Sequence, residues 1–496
     1  MTKVEIQDER GGSVDLTPVD SESISLWNLF EARKPVYQAK VKGNFRRLKW
    51  IIMAVLLGFY YLLPWVRWER GVGAPDQAIL VDTINRKFYF FFIELWPQEV
   101  FYFTGLLLLA ALGLFFATSL FGRVWCGYAC PQTVWTDLFL TVERFFEGDR
   151  NAQIKLAKAP WSFGKVRKKL GKHITWLLIG LATGGAWVFY FQDAPTLWRD
   201  MLKGDFYFIP TFWMIFLTFS TYLMAGFARE QVCTYMCPYA RFQGAMFDEE
   251  SLIVTYDKAR GEPRGNSPEA GDCVDCRRCV VVCPVGIDIR DGQQYRCINC
   301  ALCVDACNSV MDKLERPRGL IRYNNLAGTI PCGKATFADV WQHARFVRPR
   351  TVIYGIIMAT VAGVMLWALM TKSPMDMSVV HYRNPMFVAL SDGSVRNTYT
   401  VRLINKSWTA KTYYLRMDHA DVTLRTAQVT APAGGALPLA VKAGKVAEYT
   451  VFAERPRYIT DTGEMYPSHM AVTLSVTDDE GHADSYETVF IGPNEE

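Results

Sequence analysis

Five stretches of this chain are apolar over about 20 residues, the length needed to cross a lipid bilayer. They run roughly Leu48–Trp68, Gln98–Phe121, Ile174–Phe191, Phe206–Phe227 and Val352–Met370. A soluble protein would have to bury five helices that are apolar all round, so membrane spans are the expected reading. The segment RKFYFFFIELWP before the second stretch ends in Pro97, with Glu94 before that proline and Glu99 just after it, which argues against one longer helix there. The third stretch is short.

Lys and Arg collect on alternate sides of these spans, and that asymmetry sets orientation. Arg33, Lys34, Lys40, Lys42, Arg46, Arg47 and Lys49 precede or open the first span. Lys155, Lys158, Lys165, Arg167, Lys168, Lys169 and Lys172 lie between the second and third, and Arg345, Arg348 and Arg350 precede the fifth. Only Arg199 and Lys203 stand between the third and fourth. The expected division is a cytoplasmic N-terminal segment (1–47), spans one to four (48–240) with a cytoplasmic loop at 122–173, a cytoplasmic domain (241–350), a fifth span (351–371) and an external domain (372–496). Residues 1–30 are polar and show no cleavable signal pattern. In TVWTDLFLTVERFF, Val134, Trp135, Leu138, Phe139, Val142, Phe145 and Phe146 share a helical face. Such a helix lies on the membrane or packs on the cytoplasmic domain. Pro238–Phe247 is a second segment of this kind. The net charge of +5 is too small to imply a nucleic-acid surface.

From about Met377 the pattern changes to alternation: NTYTVRLIN, TYYLRM, LPLAVKAG, AEYTVFAE, HMAVTLSV and SYETVFI, separated by turn residues. Short strands at this spacing predict an antiparallel sandwich. The tail has no cysteine, and His381, His419, His469 and His482 are scattered through it.

All 13 cysteines lie between Cys126 and Cys332. Residues 273–307 contain two successive C-x2-C-x2-C-x3-C runs: Cys273, Cys276, Cys279, Cys283, then Cys297, Cys300, Cys303, Cys307. This is the bacterial-ferredoxin spacing for two 4Fe–4S clusters, in which the fourth cysteine of each run serves the neighbouring cluster. The expected ligand sets are Cys273, Cys276, Cys279 and Cys307, and Cys297, Cys300, Cys303 and Cys283. Pro284 follows the first run as it should, whereas Asn308 replaces the second proline. Zinc sites use two C-x2-C pairs with a longer insert, which is not this pattern. Arg277, Arg278 and Arg296 either tune the clusters or form a solvated basic surface.

Four more cysteines form two copies of C-x3-C-P at span ends: Cys126 and Cys130 in GRVWCGYACPQ, Cys233 and Cys237 in REQVCTYMCPYA. Converging thiolates would hold Cu(I), zinc or an iron–sulfur centre, with Met236 as a further soft donor. A redox dithiol is the other chemistry. Spacing leaves both open, beside plain packing at helix ends. Cys332 is unpaired in pattern, and His173 stands alone at a membrane edge. No span pairs histidines for haem, and no nucleotide-binding glycine motif occurs.

The paired ferredoxin motifs, the two C-x3-C-P pairs, the segment IVTYDKARGEPRG, the fifth span and the β tail together resemble the cbb3-type cytochrome c oxidase accessory protein family (CcoG/FixG/RdxA) over most of the chain. The resemblance implies a bacterial inner-membrane protein with its immunoglobulin-like domain in the periplasm. It implies a cupric reductase that turns Cu(II) into Cu(I) for oxidase assembly, with Cys126, Cys130, Cys233 and Cys237 binding or reducing copper. Implied partners are oxidase assembly factors or a copper transporter or chaperone; the electron donor is unknown. A quinol-linked ferredoxin-type conduit to a respiratory reductase, and an assembly scaffold with structural clusters, are the competing expectations.

Overall fold

The computed structural model describes residues 6–7, 13–14, 36–71, 74–265, 267–325, 345–456 and 468–493. Cys332 and most of the first 35 residues lie outside them. The chain forms two compact units, one of residues 1–51, 121–176 and 224–344, the other of 52–120, 177–223 and 345–496.

Four helical stretches have the length and apolarity of membrane spans: Asn44–Trp65, Pro97–Phe121, Phe208–Ala228 and Pro349–Met370. They contain helices α1 (Asn44–Leu62), α2 (Phe101–Phe121), α8 (Phe208–Thr221) and α13 (Pro349–Met370). The expected span at Ile174–Phe191 is not among them. It forms the later part of α6 (Phe163–Phe189), whose first turns carry Lys165, Arg167, Lys168, Lys169 and Lys172. Its apolarity is diluted by Gly180, Thr183 and Gly184. These glycines are packing positions: a Cβ on Gly184 would lie 2.5 Å from the Met214 carbonyl oxygen of α8, and one on Gly180 would lie 3.0 Å from that of Thr218. Small residues four apart let two helix backbones approach closely, and a helix face covered by a neighbour need not be strongly apolar.

In the second unit, β1 (Ile79–Asp82), β2 (Lys87–Phe90) and β3 (Ile93–Leu95) form an antiparallel sheet just before α2. The two glutamates on either side of Pro97 are buried partners: Glu94 pairs with Lys87 at 2.7 Å, and Glu99 with Lys372 and Lys406, each at 2.8 Å. The C-terminal domain is a sandwich. One sheet orders Thr423–Arg425, Val446–Arg455, Val395–Asn405 and Met375–His381, with Val388–Ala389 beside the third; the other orders Leu437–Val441, Lys411–Met417, His469–Thr477 and Ala483–Ile491. Alternation puts Tyr399, Val401, Tyr413, Leu415, Val451, Leu474, Val476 and Phe490 in one fully buried core. The histidines bond locally: His381 to Asn397 at 2.7 Å, His419 to Asp418 at 2.7 Å and His482 to Asp478 at 3.1 Å.

In the first unit, α3 (Val124–Tyr128) follows α2, and α4 (Pro131–Glu147) is the amphipathic segment. Its buried side is more charged than the pattern suggests. Val134 and Phe139 are buried, but so are Asp137, Glu143 and Glu147, while Phe145 is exposed. Basic residues from elsewhere make this tenable. Arg46 grips Asp137 with contacts of 2.8 and 2.9 Å, Arg229 reaches Glu143 at 2.8 Å, and Lys172 and Lys169 reach Glu147 at 2.7 and 2.9 Å. Two π-helical segments, Tyr222–Ala228 and Val232–Met236, extend α8 toward α9 (Pro238–Met246).

Candidate functional site: two cysteine cages and a four-thiol cluster

The eight clustered cysteines line two cavities. Cys273, Cys276, Cys279 and Cys307 surround one of about 350 Å³, with Tyr256, Arg290, Met311 and Leu320 in its wall. Cys283, Cys297, Cys300 and Cys303 surround one of about 370 Å³, walled by Val254, Ile287, Ile289 and Leu302, with Cys279 at its edge. The fourth cysteine of each run therefore faces the other run's cavity. The loops are built alike. The residues flanking the second cysteine of each run, Asp275 and Arg277, then Asn299 and Ala301, all have φ between 50° and 55°. Left-handed non-glycine residues cost about 1 kcal/mol or more each, so the same four-fold departure at matching positions marks a shape imposed by what the loops enclose.

Burial pushes the thiols up: Cys279 and Cys297 to about 11, Cys283 and Cys307 to about 12, and Cys303 well above its ordinary value. Without a cation these sulfurs keep their protons; a metal would have to displace them. Backbone N–H groups are already aimed at the sulfurs, from Val285 and Ile287 to Cys283, Asn299 to Cys297, and Ile321 to Cys307. Four soft donors per cavity, apolar walls and N–H···S contacts fit a 4Fe–4S group in each. Among the twelve described cysteines, Cys276 is the exposed one.

Among the four arginines of residues 273–307, the buried one is Arg290, not those singled out from the sequence. It pairs with Asp288 at 2.6 Å and with Asp275, and it reaches Cys273. Arg277 and Arg278 are exposed and Arg296 is half-buried.

The C-x3-C-P segments adopt matching ends. Pro131 and Pro238 each begin a helix, so Cys130 and Cys237 are the N-cap residues of α4 and α9. The Gln132 and Thr133 amides at the start of α4 reach the Cys130 sulfur. Cys126 is buried on α3, with Arg123 Nη2 at 3.9 Å and the Gln243 amide at 3.6–3.7 Å from its sulfur. Gln243 belongs to α9, so the second segment's helix touches the first segment's cysteine. Cys233 lies in the second π-helical segment, where burial and its neighbours Cys130, Cys126 and Cys237 push its thiol up to about 12. Cys233 thus feels the other three cysteines, although among the described residues no three of the four sulfurs lie within 4.8 Å of one another.

That place adjoins the second cage. A Cβ on Gly127, between the first pair of cysteines, would lie 2.6 Å from the Ile298 carbonyl oxygen and 3.1 Å from the Cys300 nitrogen. The next residue, Tyr128, donates to the Cys300 carbonyl at 3.2 Å, and Tyr323 donates to that of Asn299 at 2.6 Å. Spacing rules point to cysteines; Gly127, Tyr128, Arg123, Gln243 and Arg290 act through contacts distant in sequence. The G in CGYAC was the visible sign of a close approach.

Comparison with known proteins agrees with this assembly. A family model for a 4Fe–4S dicluster domain matches residues 228–270 and 264–326, and one for a 4Fe–4S binding domain matches 103–147. A third, the IG-like fold at the C-terminus of FixG, matches 365–493. The chain is 48% identical over 460 residues to the nitrogen fixation protein FixG of Rhizobium meliloti, covering 86% of this chain and 88% of that protein. It is 52% identical over 424 residues to protein RdxB of Cereibacter sphaeroides, covering 82% and 87%. Protein RdxA of the same organism is 49% identical over 393 residues, covering 79% and 83%. A crystal structure of a FixG-related protein from Vibrio parahaemolyticus matches 24% of this chain and 97% of its own length at 23% identity, with a TM-score of 0.20. The extent and level of these identities make the chain a member of the FixG/RdxA family, an iron–sulfur membrane protein with an immunoglobulin-like C-terminal domain.

Proposed function

We propose that this protein is a membrane metalloreductase that turns Cu(II) into Cu(I), in the service of assembling a cbb3-type respiratory oxidase. The carrying observation is that the two C-x3-C-P segments adjoin each other and the second cage: Cys126 touches Gln243 on the helix that Cys237 caps, and Gly127 lies in backbone contact with the Cys300 loop. The resident 4Fe–4S groups are assigned to Cys273, Cys276, Cys279 and Cys307, and to Cys283, Cys297, Cys300 and Cys303; they supply single electrons. Copper is the substrate, and reduction makes it soft and suited to thiolates. The chain's own part is to hold protons on Cys126, Cys130 and Cys233 until a metal arrives, and to keep α3 against the cage.

The Lys and Arg asymmetry of the loops supports a five-pass arrangement. In this reading the bacterial inner membrane is crossed five times, with the cysteine-bearing segments cytoplasmic and residues 372–496 periplasmic. Partners would be oxidase assembly factors or a copper transporter or chaperone.

The test is anaerobic. Protein with reduced clusters is mixed with Cu(II) and a Cu(I)-specific chromophoric chelator. Stoichiometric Cu(I) is expected from the parent and a loss of most of it from Cys126→Ser/Cys233→Ser at unchanged iron content. Undiminished Cu(I) from that variant would remove the thiols from the reaction, and none from the parent would sink the proposal.

A further inference from the structure

Beside Cys233 an open recess lies within the first unit. One wall is apolar: Leu140 of α4, Pro284 and Val285 directly after Cys283, and Ile298 directly after Cys297. Polar groups from Lys49, Gln132, Thr136 and Arg229 line the space as well, with Cys233. Lys49 opens the first membrane-length helix, and Arg229 follows the third such helix in chain order, Phe208–Ala228.

Lys49 is the anomaly. Its side chain is 4% exposed, yet its nearest carboxylate, Asp137, is 3.9 Å away, and it makes no hydrogen bond among the described residues. Asp137 is committed elsewhere, held by two contacts from Arg46. A buried ammonium with unfilled donors is costly unless something takes them. Gln132 complements it: its amide N–H groups hold the Met224 and Arg229 carbonyls at 2.8 and 3.1 Å, leaving Oε1 to accept.

We propose that this recess binds the ring of a lipid-borne quinone or quinol, which names the class of electron donor in the function proposed above and rests on that reading. An apolar face for a flat ring, a donor for a carbonyl oxygen and an acceptor for a hydroxyl are what such a headgroup requires. Two cationic side chains, Lys49 and Arg229, disfavour copper itself as the occupant. The carboxylates Asp137 and Glu230 disfavour a phosphate. The ends of two membrane-length helices give a lipid-soluble molecule its approach. Oxidation of a quinol to the quinone releases two electrons and two protons, and two one-electron centres match that count.

The experiment uses the full chain in lipid nanodiscs without copper, titrated with decylubiquinone and, separately, with menadione and inorganic phosphate. Binding is read by tryptophan fluorescence quenching and by any change in the EPR line shape of the reduced clusters. Saturable quinone binding is expected, weakened at least about tenfold by Lys49→Met, the loss of one hydrogen bond from a charged donor, and unchanged by Lys155→Met on exposed α5 (Arg150–Lys158). Should Lys49→Met lose iron, Leu140→Trp decides, since it fills the recess and leaves the ammonium in place. Non-saturable binding, binding indifferent to both variants, or binding of phosphate in preference to both quinones would overturn the site. Because no copper is present, these outcomes are separate from failure of the copper reaction.

Discussion

Gly127 shows what a single atom is worth at the junction of α3 and the second cage. Any side chain there meets the Ile298 carbonyl and the Cys300 backbone, and backbone cannot swing aside. Gly127→Val should cost about 1–3 kcal/mol, the usual range for overpacking. The strain falls on the loop carrying Cys297, Cys300 and Cys303, so iron should drop from about eight toward about four per chain while the first cage stays filled. Metal analysis with EPR of the purified protein checks this; eight irons and an unaltered spectrum would deny the contact its role. Asp478 makes a second prediction at this scale. Burial pushes its carboxyl up, but Lys411 and His482 outweigh that and hold it at about 2, against 3.8 unfolded. A depressed folded value stabilises above the unfolded value and is lost as pH falls through the folded one, so the sandwich should lose on the order of 2 kcal/mol between pH 4 and pH 2. Hydrogen exchange of residues 469–491, corrected for intrinsic rates, should show that loss in the parent and a flat profile in Asp478→Asn. The cysteines themselves were legible because cluster ligation dictates their spacing. Gly127, Lys49 and Arg290 were not, because their roles exist only once distant segments meet.

At the scale of elements, α4 carries the clearest difference between pattern and packing. Its apolar stripe reads as a membrane-surface helix, yet Asp137, Glu143 and Glu147 face inward because α1, α6 and the segment after α8 bring Arg46, Lys172, Lys169 and Arg229 to meet them. A helical wheel holds no information about cations on other helices. The Phe139 and Trp176 rings stack at 5.2 Å, and the Trp176 indole donates to the Phe139 carbonyl at 3.1 Å, which fixes α4 against α6. Asp137→Ala would leave Arg46 and Lys49 buried without a counter-charge, and breaking a buried pair from one side costs about 3–5 kcal/mol. Its melting temperature should fall well below that of Asp149→Ala, which removes an exposed carboxylate contacting the Lys40 amide. Equal melting temperatures would mean that the ladder along α4 is not structural. The strands of the sandwich were readable from alternation alone. The sheet of β1 to β3 was not, because three- and four-residue strands lie below the length at which alternation can be told from chance.

For the whole molecule the open quantity is parity. Four helices meet the length and apolarity of a span, and an even number would return residues 372–496 to the side of the N-terminus. Five passages, the expectation from the sequence, would include α6. The difference lies in α6, whose lysine-rich start and Gly180/Gly184 face lower its apolarity without denying it a place beside α8. Glycines that bring two backbones within 2.5–3.0 Å of a hypothetical Cβ are a helix–helix contact, and such contacts compensate for weak lipid partitioning. Five passages also keep every cysteine-bearing segment on the lysine- and arginine-rich side, where a reducing environment favours free thiols. Alkaline phosphatase joined after Glu496 should therefore be active and a fluorescent protein in the same place dark, with the reverse for fusions within 150–165. Replacing Gly180 and Gly184 by Leu should raise the apolarity of α6 while spoiling its seat on α8. If hydropathy alone decided insertion, that variant would insert at least as well; if the contact decides, the C-terminal phosphatase activity should fall.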